Sequence, residues 1–182
     1  MIATFHRKAP DMINTGIEER IARLEAEAAV RQTIASFSDA VGRDDRPAFH
    51  ALWTENCVWE IGEPYLLVGR GIGEIAPMLD RLMVGWEFFV QLTHSSAVDI
   101  ADDLEHATAR SEIREFARQT DQSRSYDNFA IYDDALVKVD GHWRFARRSY
   151  HYIWVDDTRI TGHGYKLPPN LGRPLALQRR LD

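Results

Sequence analysis

Cysteine is nearly absent: Cys57 stands alone in 182 residues, which rules out an intrachain disulfide, a Cys-based zinc site or an iron–sulfur cluster within one subunit and fits a reducing compartment. No apolar run approaches the ~18 residues of a membrane span, and no run of signal-peptide length follows the basic His6, Arg7 and Lys8, so a cytoplasmic protein is expected. Basic clusters are also missing. With 22 Lys+Arg against 28 Asp+Glu, a net charge of −6, and only short pairs such as Arg147–Arg148 and Arg179–Arg180, neither nucleic acid nor an anionic membrane is an expected partner. There is no Gly-x-Gly-x-x-Gly, Walker lysine loop, Gly-x-Ser-x-Gly elbow or His-Glu-x-x-His, so nucleotide cofactors, serine hydrolysis and zinc-peptidase chemistry drop out. Glu105-His106 sits at a predicted strand start without further ligands, and no metal is expected. Any catalysis then falls to ordinary acid–base side chains, with no cofactor.

At 45% hydrophobic and 10% aromatic residues, the chain can bury one sizeable core. Residues 1–13 read as an arm, 14–155 as the folded domain and 156–182, rich in Gly, Pro and polar residues, as an irregular tail. Thr15-Gly16-Ile17-Glu18 reads as a capping box, and Ile17, Ile21, Leu24, Ala28, Ile34, Phe37 and Val41 give one apolar helical face ending near Gly42. Asp45 and Pro47 open a short second helix through Trp53; strands are expected at 57–61 and 65–68, with a third helix from Gly71 to about Met83. Three long β-rich stretches follow, Trp86 to Ile100, Glu105 to Arg118 and Tyr126 to Val139; an Asp140-Gly141 hairpin turn then leads into His142 to Val155. Helices first and meandering strands afterwards make an α+β domain whose strongly curved sheet wraps a helix and leaves a conical pocket.

This order of elements carries four phrases: Phe37-Ser38-Asp39-Ala40-Val41-Gly42-Arg43-Asp44, Ala51-Leu52-Trp53-Thr54-Glu55-Asn56-Cys57-Val58-Trp59, Gln91-Leu92-Thr93-His94 and Asp140-Gly141-His142-Trp143-Arg144-Phe145-Ala146-Arg147-Arg148. Together they resemble the SnoaL-like branch of the nuclear-transport-factor-2-like (NTF2-like) superfamily over residues 17–155, which implies a conical barrel. The superfamily includes scytalone dehydratase, hexachlorocyclohexane dehydrochlorinase, polyketide cyclases and small subunits of ring-hydroxylating dioxygenases, so fold alone does not assign chemistry.

The resemblance implies that His94, on the first long strand, is a general base, a task for which imidazole is suited near neutrality. Those relatives orient the histidine with an aspartate near the end of the first helix, where this chain has Gly42; the expected Asp–His dyad is therefore incomplete. The hairpin match implies that Arg148 stabilises a departing anion, and period-2 alternation puts Tyr150 and Tyr152 on its face. The scytalone dehydratase match turns Asn128 and Tyr132 inward, and Tyr126 shares their parity; Tyr132 is expected to donate to a substrate oxygen, Asn128 to orient it. On the 105–118 stretch two parities stay open. Ala107, Ala109, Ser111 and Ile113 look like a core face, whereas the relatives' register would bring Glu112, Arg114 and Phe116 inside, where Glu112 or Arg114 would supply the missing charge. Trp59 joins the tyrosines as an aromatic wall for a flat substrate.

The expected function is a cofactor-independent lyase or isomerase acting on an aromatic or polycyclic small molecule by dehydration, dehydrohalogenation or retro-aldol cleavage. Alternatives are a non-catalytic small subunit of a ring-hydroxylating dioxygenase, or a ligand-binding module, favoured if no cavity adjoins His94. A homodimer or higher homo-oligomer is implied by the resemblance.

Overall fold

The computed structural model describes residues 16–165 together with 167, 168 and 171. The arm at 1–13, Thr15 of the capping box and the end of the tail lie outside these residues.

The chain forms α1 (Ile17–Arg43), α2 (Arg46–Ala51), β1 (Trp53–Ile61), β2 (Leu67–Arg70), α3 (Ile72–Met83), β3 (Trp86–Ile100), β4 (His106–Gln119), β5 (Ser125–Val139) and β6 (His142–Asp156). The six strands make one sheet in the order β2-β1-β6-β5-β4-β3. Strands β3 to β6 form an antiparallel meander, and β1 joins it parallel to β6. A 15-residue strand would run about 50 Å if straight, too long for a domain of this size, and the register slips explain how the sheet bends instead. Irregularities fall at Trp86/Phe88 and Thr93/Ser95 on β3, at Ile153 and Ala146 on β6, opposite Phe129/Ala130 and Ala135/Leu136 of β5, and at Trp53/Val58 on β1. Each extra residue sharpens the local twist, so the sheet curls into a cone whose concave face holds the core. The Asp140-Gly141 turn has φ of 52° and 78°, the two positive values that a tight hairpin turn between twisted strands requires.

Helix α1 packs against β3, β6 and α2. Only its C-terminal half does so: Ala26, Val30, Ile34, Phe37 and Val41 are buried, whereas Ile17, Ile21 and Leu24 are exposed. Of the apolar face expected along the whole helix, Ile34, Phe37 and Val41 are covered by the sheet, whereas Ile17, Ile21, Leu24 and Ala28 are exposed and Ala26 and Val30 are buried instead. The helix also runs past Gly42 to Arg43, because Asp44 takes the left-handed cap conformation at φ 58°, which short polar side chains tolerate. Asp45 caps α2 through Ala48 N–H, at 3.0 Å, with Pro47 in the first turn. Trp53 does not end that helix but begins β1. The second strand starts two residues later than expected, at Leu67, because Tyr65 and Leu66 are held in a turn by bonds from their N–H groups to the Gly62 carbonyl.

Candidate active site

The parity of β4 decides what the cone contains. Ala107, Ala109, Ser111, Ile113, Glu115 and Ala117 are buried on the concave side. The small-residue set is thus the inner one, and it carries Glu115 inside with it. Residues at even positions, including Glu112 and Arg114, face outward, so the charge expected from one of them comes from their neighbour.

Glu115 closes one side of a cavity of about 180 Å³. Its Oε1 accepts from Gln91 Nε2 at 2.6 Å, and its Oε2 lies 3.1 Å from Asn128 Nδ2 and 2.9 Å from the Tyr150 hydroxyl. Gln91 is itself oriented: its Oε1 accepts from Ser38 Oγ on α1 at 2.9 Å, which turns the amide nitrogen toward the carboxyl. Ser38 also lies 3.0 Å from Thr93 Oγ1. Four elements therefore fix one carboxyl group. Burial pushes Glu115 above the usual carboxylate range, while hydrogen bonds from Gln91, Asn128, Tyr150 and Tyr126 pull the other way.

The Tyr150 hydroxyl has two acceptors within reach, Glu115 Oε2 and Asn128 Oδ1, the latter at 2.7 Å. One hydroxyl proton cannot serve both. When Glu115 is ionised, Tyr150 can donate to it; when Glu115 is protonated, its own O–H can donate to the Tyr150 oxygen while Tyr150 donates to Asn128. Both protonation states are satisfied without moving a heavy atom, as a group that gives and takes protons requires.

Most of the remaining cavity wall is aromatic and aliphatic. Trp59, Tyr126, Tyr132 and Tyr150 line it, as do Phe37, Trp86, Phe89 and Tyr152. Burial and the neighbouring Glu115 charge raise the hydroxyls of Tyr126, Tyr132, Tyr150 and Tyr152, so all four stay protonated hydrogen-bond donors. The Trp59 indole N–H is buried with no hydrogen-bond partner among the described residues.

Arg148 is fully buried but lies below this wall instead of in it. Its guanidinium carbon sits 4.1, 3.7 and 4.3 Å from the ring centroids of Phe37, Tyr132 and Phe145. Its Nε is 3.4 Å from Asp134 Oδ1, and its charge lowers the Tyr132 hydroxyl, against the larger effect of burial. A substrate anion in the cavity would meet Tyr132, not Arg148.

Two expected site residues are elsewhere. His94 is exposed on the convex face, at the Thr93/Ser95 irregularity of β3, with its ring stacked on Phe129 at 6.4 Å. His94 is itself the unpaired residue of that bulge, and the alternation that turns Phe89, Gln91 and Thr93 inward leaves it facing outward, so acid–base work inside the cone is out of its reach. Arg114 also faces outward, bonded to both oxygens of Asp127 at 3.0 and 2.7 Å and stacked over Phe116 at 4.2 Å. It is a convex-face ion pair and not a substrate ligand in the cavity. Gly42 lies within the last turn of α1 and contributes no side chain.

Sequence reasoning missed Glu115, Gln91 and Ser38. Gln91 and Ser38 stand inside two of the four family-like phrases, and Glu115 continues the small-residue parity of β4 by two positions; the signal was there in the alternation. Among the described residues no group of three or more His, Cys, Asp or Glu side chains is arranged to hold a metal ion, and no helix is long and apolar enough to cross a membrane.

Solved structures share this cone. A candidate scytalone dehydratase from Novosphingobium aromaticivorans DSM 12444 superposes with a TM-score of 0.70 at 18% identity, over 86% of this chain and 97% of that one. Hexachlorocyclohexane dehydrochlorinase LinA-type3 from Novosphingobium barchaimii LL02 gives 0.69 at 13% identity, over 82% and 99%. ActVI-ORFA from Streptomyces coelicolor gives 0.60 at 17% identity, over 71% and 98%. At such identities the likeness is one of fold. No curated protein matches the sequence. The model of the SnoaL-like domain matches residues 22–149, from the buried half of α1 to the strand that carries Arg148 and Tyr150, and the chain belongs to that family.

Proposed function

We propose that this protein is a cofactor-independent lyase or isomerase that moves a proton on an aromatic or otherwise flat small molecule, with Glu115 as the acid–base group. The observation that carries the reading is a carboxyl group held inside an aromatic cavity by Gln91, Asn128 and Tyr150, in an arrangement that accommodates both of its protonation states.

In the forward sense, ionised Glu115 takes a proton from a carbon or hydroxyl of the substrate. The electron pair left behind forms the new double bond and expels hydroxide, halide or a resonance-stabilised carbon fragment, which departs with its own pair. Tyr132 and Tyr152, both on the cavity wall and both kept protonated, donate hydrogen bonds where negative charge develops. Protonated Glu115 then returns its proton to the leaving group or to the product. Dehydration and dehydrohalogenation take the proton from carbon and lose hydroxide or halide, whereas retro-aldol cleavage takes it from a hydroxyl and loses the carbon fragment.

A ligand-binding module without chemistry is the second reading, favoured by the placement of His94 outside the cavity. One set of variants separates the two. With a panel of aromatic β-hydroxy and β-halo carbonyl compounds, followed by mass spectrometry, wild type and His94→Ala turn over the same member at the same rate. Glu115→Gln, which keeps shape and loses the proton exchange, falls ~100-fold or more. Equal turnover by Glu115→Gln, or a ~100-fold loss in His94→Ala, overturns the assignment of the proton to Glu115.

A further inference from the structure

Charge on the cavity wall is one-sided. Among the described residues the lining holds one acidic side chain, Glu115, and two basic ones, Arg81 and Arg124. Glu115 is deep and buried, whereas both arginines are exposed. Arg81 lies in the last turn of α3 and Arg124 in the turn that joins β4 to β5. Neither makes an ion pair with a described residue, although the chain as a whole carries an acidic excess of six. On the sheet Arg114 is paired with Asp127, Arg118 with Glu87, Arg147 with Glu60 and Arg148 with Asp134, whereas Arg70, Arg110 and Arg144 make no ion pair with a described residue and lie away from the cavity. What sets Arg81 and Arg124 apart from the other unpaired arginines is that they line the aromatic cavity at its open end.

Arg124 reaches across that opening. Its Nη2 donates to the Tyr65 hydroxyl at 2.6 Å, and Tyr65, from the turn before β2, packs on Tyr152 at 5.6 Å between ring centroids. The hydroxyl is a neutral acceptor that satisfies one of the five guanidinium N–H groups and leaves the charge unmatched.

From these observations we infer that the substrate is an aromatic acid: its flat, reacting part lies against Glu115, and its carboxylate or other anionic group sits at the mouth between Arg81 and Arg124. The inference rests on the reading of the cavity as a substrate site. Geometry sets the length. Gln119 N–H bonds the Arg124 carbonyl at 2.8 Å, which places Arg124 at the level of Gln119, four residues along β4 from Glu115. Four residues of strand are about 13 Å, so the anion belongs at the far end of a skeleton of two rings or so, not beside the reacting bond. An anion adjacent to Glu115 would instead oppose ionisation of that carboxyl.

The test uses a matched pair of probes, biphenyl-4-carboxylate and biphenyl-4-carboxamide, titrated calorimetrically into wild type, Arg81→Gln/Arg124→Gln and Glu115→Gln at low and high salt. The acid binds wild type roughly tenfold tighter than the amide, one charge-assisted contact's worth. That preference shrinks at high salt and disappears in the double arginine variant, while amide binding there is unchanged. Glu115→Gln retains the preference for the acid. An acid that binds wild type no better than its amide, including no binding of either, overturns the inference, as does a preference that survives loss of both arginines. The outcome is distinct from that of the turnover assay: acid preference with an active Glu115→Gln variant removes the chemical assignment alone, and an inactive Glu115→Gln variant without acid preference removes the substrate class alone.

Discussion

Two carboxyl groups are buried on the concave face of adjacent strands, and they are built for different ends. Glu115 has donors on both oxygens, a tyrosine that can reverse its bond, and a cavity in front of it. Asp134 has Arg148 at 3.4 Å, no hydrogen bond to either oxygen, and closed packing around it. Burial raises both above the usual carboxylate range, and at Asp134 it overrides the opposite pull of Arg148 and takes the group to about 7. Elevation by burial is therefore common to both, and it does not mark a site. What sets Glu115 apart is hydrogen-bond provision for both states together with room for a ligand.

If Asp134–Arg148 is architecture, its loss is felt in stability first. Arg148→Ala removes a guanidinium packed on three rings and leaves Asp134 alone, and a loss of about 3–5 kcal/mol in urea unfolding is expected. The double variant Arg148→Met/Asp134→Leu, which replaces the pair with apolar groups of similar size, is expected to match wild type or exceed it by about 1–4 kcal/mol. A mild Arg148→Ala combined with a large loss of turnover would break the comparison, since Arg148 would then serve the cavity despite the wall between them.

The pH dependence sharpens the same contrast. The folded protein holds the Asp134 proton up to about 7, whereas the unfolded chain releases it at the ordinary aspartate value of 3.8. Between those values the unfolded state binds fewer protons, so the stability contributed by the neutral buried form is complete below about pH 4 and is lost as pH rises through about 7. Asp134→Asn is neutral at every pH. Wild type and Asp134→Asn are expected to be similarly stable at pH 4, and wild type to be the less stable by up to roughly 4 kcal/mol at pH 8. Urea unfolding at pH 4, 6 and 8 reads the difference; parallel curves would mean that Asp134 is ionised throughout and firmly paired.

Much of the fold was legible in the chain because apolar spacing and turn residues are local signals. The third helix, the three long strands and the Asp140-Gly141 hairpin fall within a residue or two of expectation. The site was less legible. Tyr126, Tyr132, Tyr150 and Trp59 line the cavity and Asn128 bonds its carboxyl, all on stretches of strand where the alternation runs unbroken between irregularities. His94 was placed inside by the resemblance, against the alternation that turns Phe89 and Gln91 inward; it is itself the unpaired bulge residue between Thr93 and Ser95, and faces outward. Arg148 has the inward parity but sits under Phe37 and Tyr132, a matter of depth that alternation cannot express. Glu115 was hidden by two competing parities on β4, decided only when both neighbouring strands fix the register.

The smallest expected effect bears most directly on why Glu115 is the group with a function. Its hydrogen bond from Gln91 depends on the amide being turned the right way, and Ser38 enforces that by donating to Gln91 Oε1 from the helix that crosses the sheet. Ser38→Ala frees the amide to rotate. The stability cost is about 1 kcal/mol, that of one partly buried hydrogen bond. Because the Gln91 bond pulls the Glu115 carboxyl downward, loosening it moves that group further up. Infrared difference spectra of the protonated carboxyl C=O stretch, assigned by its absence in Glu115→Gln, are expected to show the titration midpoint displaced to higher pH in Ser38→Ala. The same substitution leaves the Asp134 contribution to the pH–stability curve unchanged, since Ser38 has no bond to that pair. A midpoint that stays put would mean that burial alone governs Glu115, as it does Asp134, and the two carboxyls would then differ only in which of them a substrate can reach.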